Sequence, residues 1–161
     1  MPIQPQTVRR SLRNREGGFT LVELMVVVMI IAILMAIAIP TFLGSRTRAQ
    51  DSAAKSSVRN ALSAAQSIFS QTQDYSGVNP GTLGTEEPSL TFAAAATDVS
   101  TGPNNIVVST TTDTIFLAAK SKSGSCFGLK YSVTPGSAGT FQAQPTTCSA
   151  TGAAAATYTA L

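Results

Sequence analysis

Gly17-Gly18-Phe19-Thr20-Leu21-Val22-Glu23-Leu24 leads into a run, residues 24–39, in which every side chain is Leu, Met, Val, Ile or Ala. As a helix, residues 19–39 span about 31 Å at roughly 1.5 Å per residue. That matches the thickness of a hydrocarbon core, about 30 Å. Glu23 is the only charge in the segment. A charged side chain at the centre of a membrane helix costs about 2.5–3.5 kcal/mol on insertion scales. A carboxylate kept near the start of such a helix therefore calls for a positive partner, and a second copy of the chain can supply it. Arg9, Arg10, Arg13 and Arg15 precede the run, which keeps the N-terminus in the cytoplasm and sends the rest across the membrane.

Two simpler readings compete. Ala36-Ile37-Ala38 supplies the small-x-small pattern of a secretory signal peptide, but such a peptide has no use for Glu23. A plain single-pass anchor leaves both Gly17-Gly18 and Glu23 without a role. No Cys lies near the end of the apolar run, which disfavours a lipoprotein.

Gly18-Phe19-Thr20-Leu21-Val22-Glu23-Leu24 followed by an apolar helix resembles the processing signature of bacterial type IV pilins and the wider pilin/pseudopilin superfamily. Ile39-Pro40-Thr41-Phe42-Leu43 resembles the same group. The resemblance implies that a prepilin peptidase cuts between Gly18 and Phe19 on the cytoplasmic face, and that Phe19 becomes an N-methylated terminus. It implies that Glu23 pairs with the Phe19 amine of an adjacent subunit. It also implies a homo-oligomeric helical filament, built from membrane-held monomers by an assembly platform and a separate ATPase motor. The leader is longer than those common in the a-type subclass.

The formal charge of +3 invites a nucleic-acid reading. Residues 1–18 carry that excess by themselves, and the remainder holds seven basic and seven acidic side chains. No global electrostatic case for binding DNA survives. The chain has no His, which excludes a His-based triad and a His metal site. Glu86-Glu87 reads as a solvated pair, and no acidic residue follows Asp113, which disfavours a calcium site in the C-terminal region. The expectation is a non-enzyme with no cofactor.

Cys126 and Cys148 should lie in an oxidising compartment, where two cysteines usually pair. The alternative is two free buried thiols. The family resemblance agrees with a bridge around a C-terminal segment.

The pattern along the chain predicts an α+β fold, with a long N-terminal helix packed on a small C-terminal antiparallel sheet. The expected divisions are a leader at 1–18, a membrane and filament-core helix at 19–43, an amphipathic continuation at 44–73 and a head at 74–161. Pro40 removes a donor and crowds the preceding turn; with Gly44 it predicts a kink or local melting over 40–44. Ala54, Val58, Ala61, Leu62, Ala65, Ile68 and Phe69 recur at helical spacing and predict a stripe under the sheet. Asp51, one turn before Lys55, is expected to support it.

Residues 73–88 read as an exposed loop. Residues 106–108, 114–118, 127–133 and 140–143 read as about four strands, with turns at Ser123-Gly124 and Pro135-Gly136. Lys120, Lys122 and Lys130 read as solvated. Residues 93–96 and 153–156 read as Ala-rich packing or tail segments.

These features favour a structural pilus subunit, a membrane precursor that ends as an extracellular filament used for adhesion, motility or uptake. A pseudopilin of a type II secretion system and a minor pilin in DNA uptake are the alternatives.

Overall fold

The computed structural model describes residues 18–93 and 98–161. The expected leader, apart from Gly18, and most of the Ala-rich patch at 93–96 lie outside those residues. The chain divides into two compact units, Met1–Thr41 and Phe42–Leu161. Helix α1 (Leu21–Thr72) is helical at every position, Pro40 and Gly44 included. The expected local melting over 40–44 is therefore absent from this state. The flanking turns carry Pro40 in place, and the Thr41 hydroxyl donates to the Ile37 carbonyl at 3.2 Å.

In the second unit the amphipathic stripe of α1 lies under a sheet, as its spacing predicts. Ala54, Val58, Ala61, Leu62 and Ala65 are buried with Ile106, Val108, Ile115, Leu117, Phe127 and Leu129. Alanines on the helix let the backbone approach the sheet closely, and the β-branched strand residues fill the space between. The sheet has six strands in the order of the chain: β1 (Thr91–Ala93), β2 (Asn105–Thr110), β3 (Thr114–Lys120), β4 (Cys126–Ser132), β5 (Gly139–Ala143) and β6 (Thr159–Ala160). All neighbours are antiparallel except β1 and β2, which are parallel, with Thr91 opposite Asn105. A parallel pair cannot be closed by a tight hairpin, and residues 94–104 supply the longer connection. The two extra strands have two or three residues each, too short to show a period in sequence.

Register follows the pleat. Ile106 faces Ala119, Val108 faces Leu117, and Leu117 faces Leu129 across successive strands, so one face of three strands is uniformly apolar. Two turns need a backbone that L side chains rarely adopt: Gly124 has φ of 96° and Gly136 of 83°.

Two expectations fail here. Residues 73–88 are not an exposed loop. Tyr75 and Leu83 are fully buried, and a short helix α2 (Pro80–Glu86) occupies the middle. Asn79 caps it: its Oδ1 accepts from the Gly81 and Thr82 amides at 3.0 and 3.1 Å, while its own amide donates to Thr82 Oγ1 at 3.0 Å. Asn-Pro is a cap followed by a first-turn proline, a helix-start signal as much as a loop signal. Lys130 is also not simply solvated. It is half-buried, with Nζ 5.8 Å from the Phe116 ring centroid and 5.5 Å from that of Phe141.

Tyr75 stacks on Phe69, centroids 4.4 Å apart, and meets Tyr131 edge-on at 6.2 Å. Its hydroxyl is buried without a hydrogen-bond partner among the described residues, and burial pushes its pKa up to about 12. An unsatisfied buried hydroxyl costs about 1–3 kcal/mol. Tyr75→Phe keeps the ring contacts and removes that cost, so thermal unfolding of the detergent-solubilised chain should shift upward by a few degrees. A lower midpoint would show that the hydroxyl contributes favourably.

The other sheet face is covered too, which the sequence reading did not anticipate. Val107 and Ala118 pack with Ala150 and Ala153 of helix α3 (Ala150–Ala155) and with Cys126 and Cys148. Ser149 caps α3, its Oγ accepting from the Gly152 amide at 2.9 Å. Cys126 and Cys148 form a disulfide across 22 residues, which ties the α3 segment to β4. Ala153 is a packing residue at 0% exposure. The Tyr158 hydroxyl donates to its carbonyl at 2.6 Å. A closed loop of this length contributes about 3 kcal/mol in the chain-entropy account. The paired Cys126→Ser and Cys148→Ser variant should lose a comparable amount in denaturant unfolding, and an unchanged midpoint would leave the bridge without a stabilising role.

Candidate processing and assembly site

Gly18, Phe19, Glu23 and Pro40 lie in the first unit, and Gly44, Cys126 and Cys148 in the second. Gly18, Phe19 and Thr20 precede α1 and are exposed, Phe19 at 85%. A Cβ built on Gly18 meets no atom within 4 Å. Among the described residues, nothing packs where a side chain on Gly18 would lie.

Thr20 and Glu23 form a reciprocal cap. The Thr20 amide donates to Glu23 Oε2 at 3.1 Å, the Thr20 hydroxyl donates to the same oxygen at 2.9 Å, and the Glu23 amide donates to Thr20 Oγ1 at 3.2 Å. This is a capping box, Thr-x-x-Glu, which satisfies helix-end donors that have no intrahelical acceptor. Thr20-x-x-Glu23 carries this pattern in the sequence itself, overlaid on the membrane charge of Glu23. Among the described residues all the bonds to its carboxylate fall on Oε2, which leaves the lone pairs of Oε1 for a further donor. The carboxylate also sits at the positive end of the helix macrodipole.

Beyond the cap, every described residue from 18 to 49 is exposed. Leu21, Val22, Leu24, Met25 and Met29 are each at least 60% exposed, and the apolar side chains continue to Phe42 and Leu43. Soluble monomers rarely expose contiguous apolar patches above a few hundred Å². Among the described residues, α1 is the one helix long and apolar enough to cross a membrane. Gly44, like Gly18, has nothing within 4 Å of an added Cβ. Pro40 and Gly44 thus concentrate helix-weakening residues in one turn with no packing reason inside the subunit.

Other expected features resolve differently. The Asp51 carboxylate accepts from Ser123 Oγ, and that bond, followed by Ser121, holds its pKa below the usual carboxylate range; Lys55 contributes least. Lys55 instead places its ammonium 4.7 Å from the Phe127 ring centroid. Among the described residues no group of three or more His, Cys, Asp or Glu is placed to hold a metal. Glu86 ends α2, and the adjacent Glu87 carboxylate accepts from the Ser89 hydroxyl.

Residues 13–39 match the family described as the prokaryotic N-terminal methylation motif. The chain is 50% identical over 68 residues to the type IV major pilin protein PilA of Myxococcus xanthus (strain DK1622). That alignment covers 42% of this chain and 30% of the relative, so the likeness spans less than a third of the relative's length. No solved structure matches.

Proposed function

We propose that this chain is a type IV pilin and the structural subunit of a type IV pilus, a reading supported by its methylation motif and its likeness to a major pilin. In this reading a prepilin peptidase cuts after Gly18, and Phe19 becomes a methylated amino terminus. Residues 19–43 hold the monomer in the membrane until an assembly platform and a separate motor draw it out. The head, 74–161, packed on the amphipathic helix 44–73, faces the exterior. The cytoplasmic leader at 1–18 sets the orientation.

One observation carries the proposal. Among the described residues, none buries the apolar surface of residues 19–43, and that surface is headed by a single carboxylate with one oxygen unbonded. Lipid can cover such a surface before assembly, and identical helices can cover it afterwards. Small and β-branched residues along it allow close helix approach. Glu23 Oε1 would receive the Phe19 amine of a neighbour, an amine that exists only once the Gly18–Phe19 bond is cut. Pro40 and Gly44 give the helix a turn that can loosen during assembly at little expense to the head.

The test is electron microscopy of cells with and without the gene, joined to mass analysis of the mature chain. Surface fibres that vanish on deletion, with a product starting at Phe19 and carrying one added methyl group, support the reading. A product starting after Ala38 returns the protein to ordinary secretion. Absent fibres with a defect in protein export favour the pseudopilin alternative.

A further inference from the structure

The head has a polarised charge layout that the filament reading does not by itself explain. At one end lies a groove of about 650 Å³ between α1 and the start of β2, lined by Arg46, Gln50, Ala53, Pro103, Asn105 and Lys122 among others. Its walls mix small apolar residues with amide and hydroxyl side chains, and two exposed cations, Arg46 and Lys122, stand at it with no ion-pair partner among the described residues. Arg48 and Lys120 are exposed at the same end. The nearby Asp51 carboxylate is occupied by Ser123 and Ser121.

The opposite end of the sheet is acidic. There the β2–β3 turn presents three consecutive exposed residues, Thr111, Thr112 and Asp113. The Asp113 carbonyl accepts from the Val133 amide at 2.9 Å, and the Thr112 carbonyl from the Tyr75 amide at 3.0 Å. These bonds tie the tip to its neighbours through the backbone, and among the described residues its carboxylate has no partner. Asp74 lies on the same end, and the last turn of α1 contains no basic residue. Strand β3 separates Asp113 from Lys122 by seven extended residues, about 23 Å at roughly 3.3 Å each. The two cannot meet within one chain.

We infer that the β2–β3 tip of one copy docks in the Arg46–Lys122 groove of another, with the Asp113 carboxylate between the two cations. An exposed turn with one negative charge is complementary to a groove that carries two positive ones. The two patches are different and lie at opposite ends of the head, so the contact is heterologous and propagates into an open filament rather than closing a dimer. A groove of this size is within the range that encloses a small ligand, about 300–1,000 Å³. The inference rests on the filament reading and adds the head-to-head contact to it.

Zero-length carbodiimide coupling of filaments assembled from mixed light and heavy full-length chains tests it. The expected product is a peptide joining Asp113 to Lys122, half of it isotopically mixed when the chains are supplied equally. Asp113→Lys should lower filament yield about tenfold with the processed membrane monomer unchanged, and adding Lys122→Asp in the same chain should restore most of it. A coupling of Lys122 to Glu86 or Glu87 of another copy would put a different segment in the groove and overturn the assignment. So would unchanged filament yield from Asp113→Lys. If the wild-type chain forms no filaments, the underlying reading fails and this contact with it; normal wild-type filaments lacking the coupled peptide overturn this contact alone.

Discussion

Cells making the Gly18→Leu chain should accumulate the full-length precursor in the membrane, with the product beginning at Phe19 reduced on the order of a hundredfold, the scale of a misplaced reacting group. The expectation follows from what Gly18 does not do. It is exposed, and among the described residues a side chain there meets nothing. The substitution therefore leaves the fold and its stability alone, and surface changes of that kind usually stay within about 0.5 kcal/mol. Any large effect must come from an external agent that needs the carbonyl side of the scissile bond unobstructed. An immunoblot resolving precursor from mature chain decides it. A normal amount of mature chain from the Leu variant removes the peptidase from the account.

Much of this molecule was legible before the coordinates, and the reason is periodicity. The run at 24–39 and the stripe from Ala54 to Phe69 repeat often enough to fix both element type and buried face. Alternation in Phe127, Leu129 and Tyr131 fixed a strand and its inner side in the same way. What escaped notice was short or doubly determined. Thr91-Phe92-Ala93 and Thr159-Ala160 have too few residues to show a period. Asn79-Pro80-Gly81 carries turn residues that serve equally to cap a helix, and the burial of Leu83 decides between them. The second layer, where Ala150 and Ala153 pack on Val107 and Ala118, is built from alanines. Alanine carries little hydrophobic signal of its own, and the disulfide that holds the layer in place is a long-range contact. At the candidate site, the residues were found by motif, but the Thr20–Glu23 cap was not, because two functions overlap on one carboxylate.

That overlap sets the most informative expectation. Glu23→Ala should insert normally and be processed, yet add to filaments at least about a hundredfold less well. Removing one member of a buried charged pair leaves the other uncompensated, at about 3–5 kcal/mol. The alanine change alone cannot separate the two roles of Glu23, since it also removes the acceptor that Thr20 uses. A lost cap is worth about 1 kcal/mol, small against a helix of 52 residues. Glu23→Gln separates them. A glutamine at that position still completes a capping box, but it carries no charge for a neighbouring amine. If assembly depends on the pair, the Gln chain should fail nearly as badly as the Ala chain, while circular dichroism of the detergent-solubilised monomers shows equal helix content. Filament counts from surface shearing give the readout. Abundant filaments from the Gln chain and few from the Ala chain would reduce Glu23 to a helix cap, and the force that orders the apolar helices would have to come from packing alone.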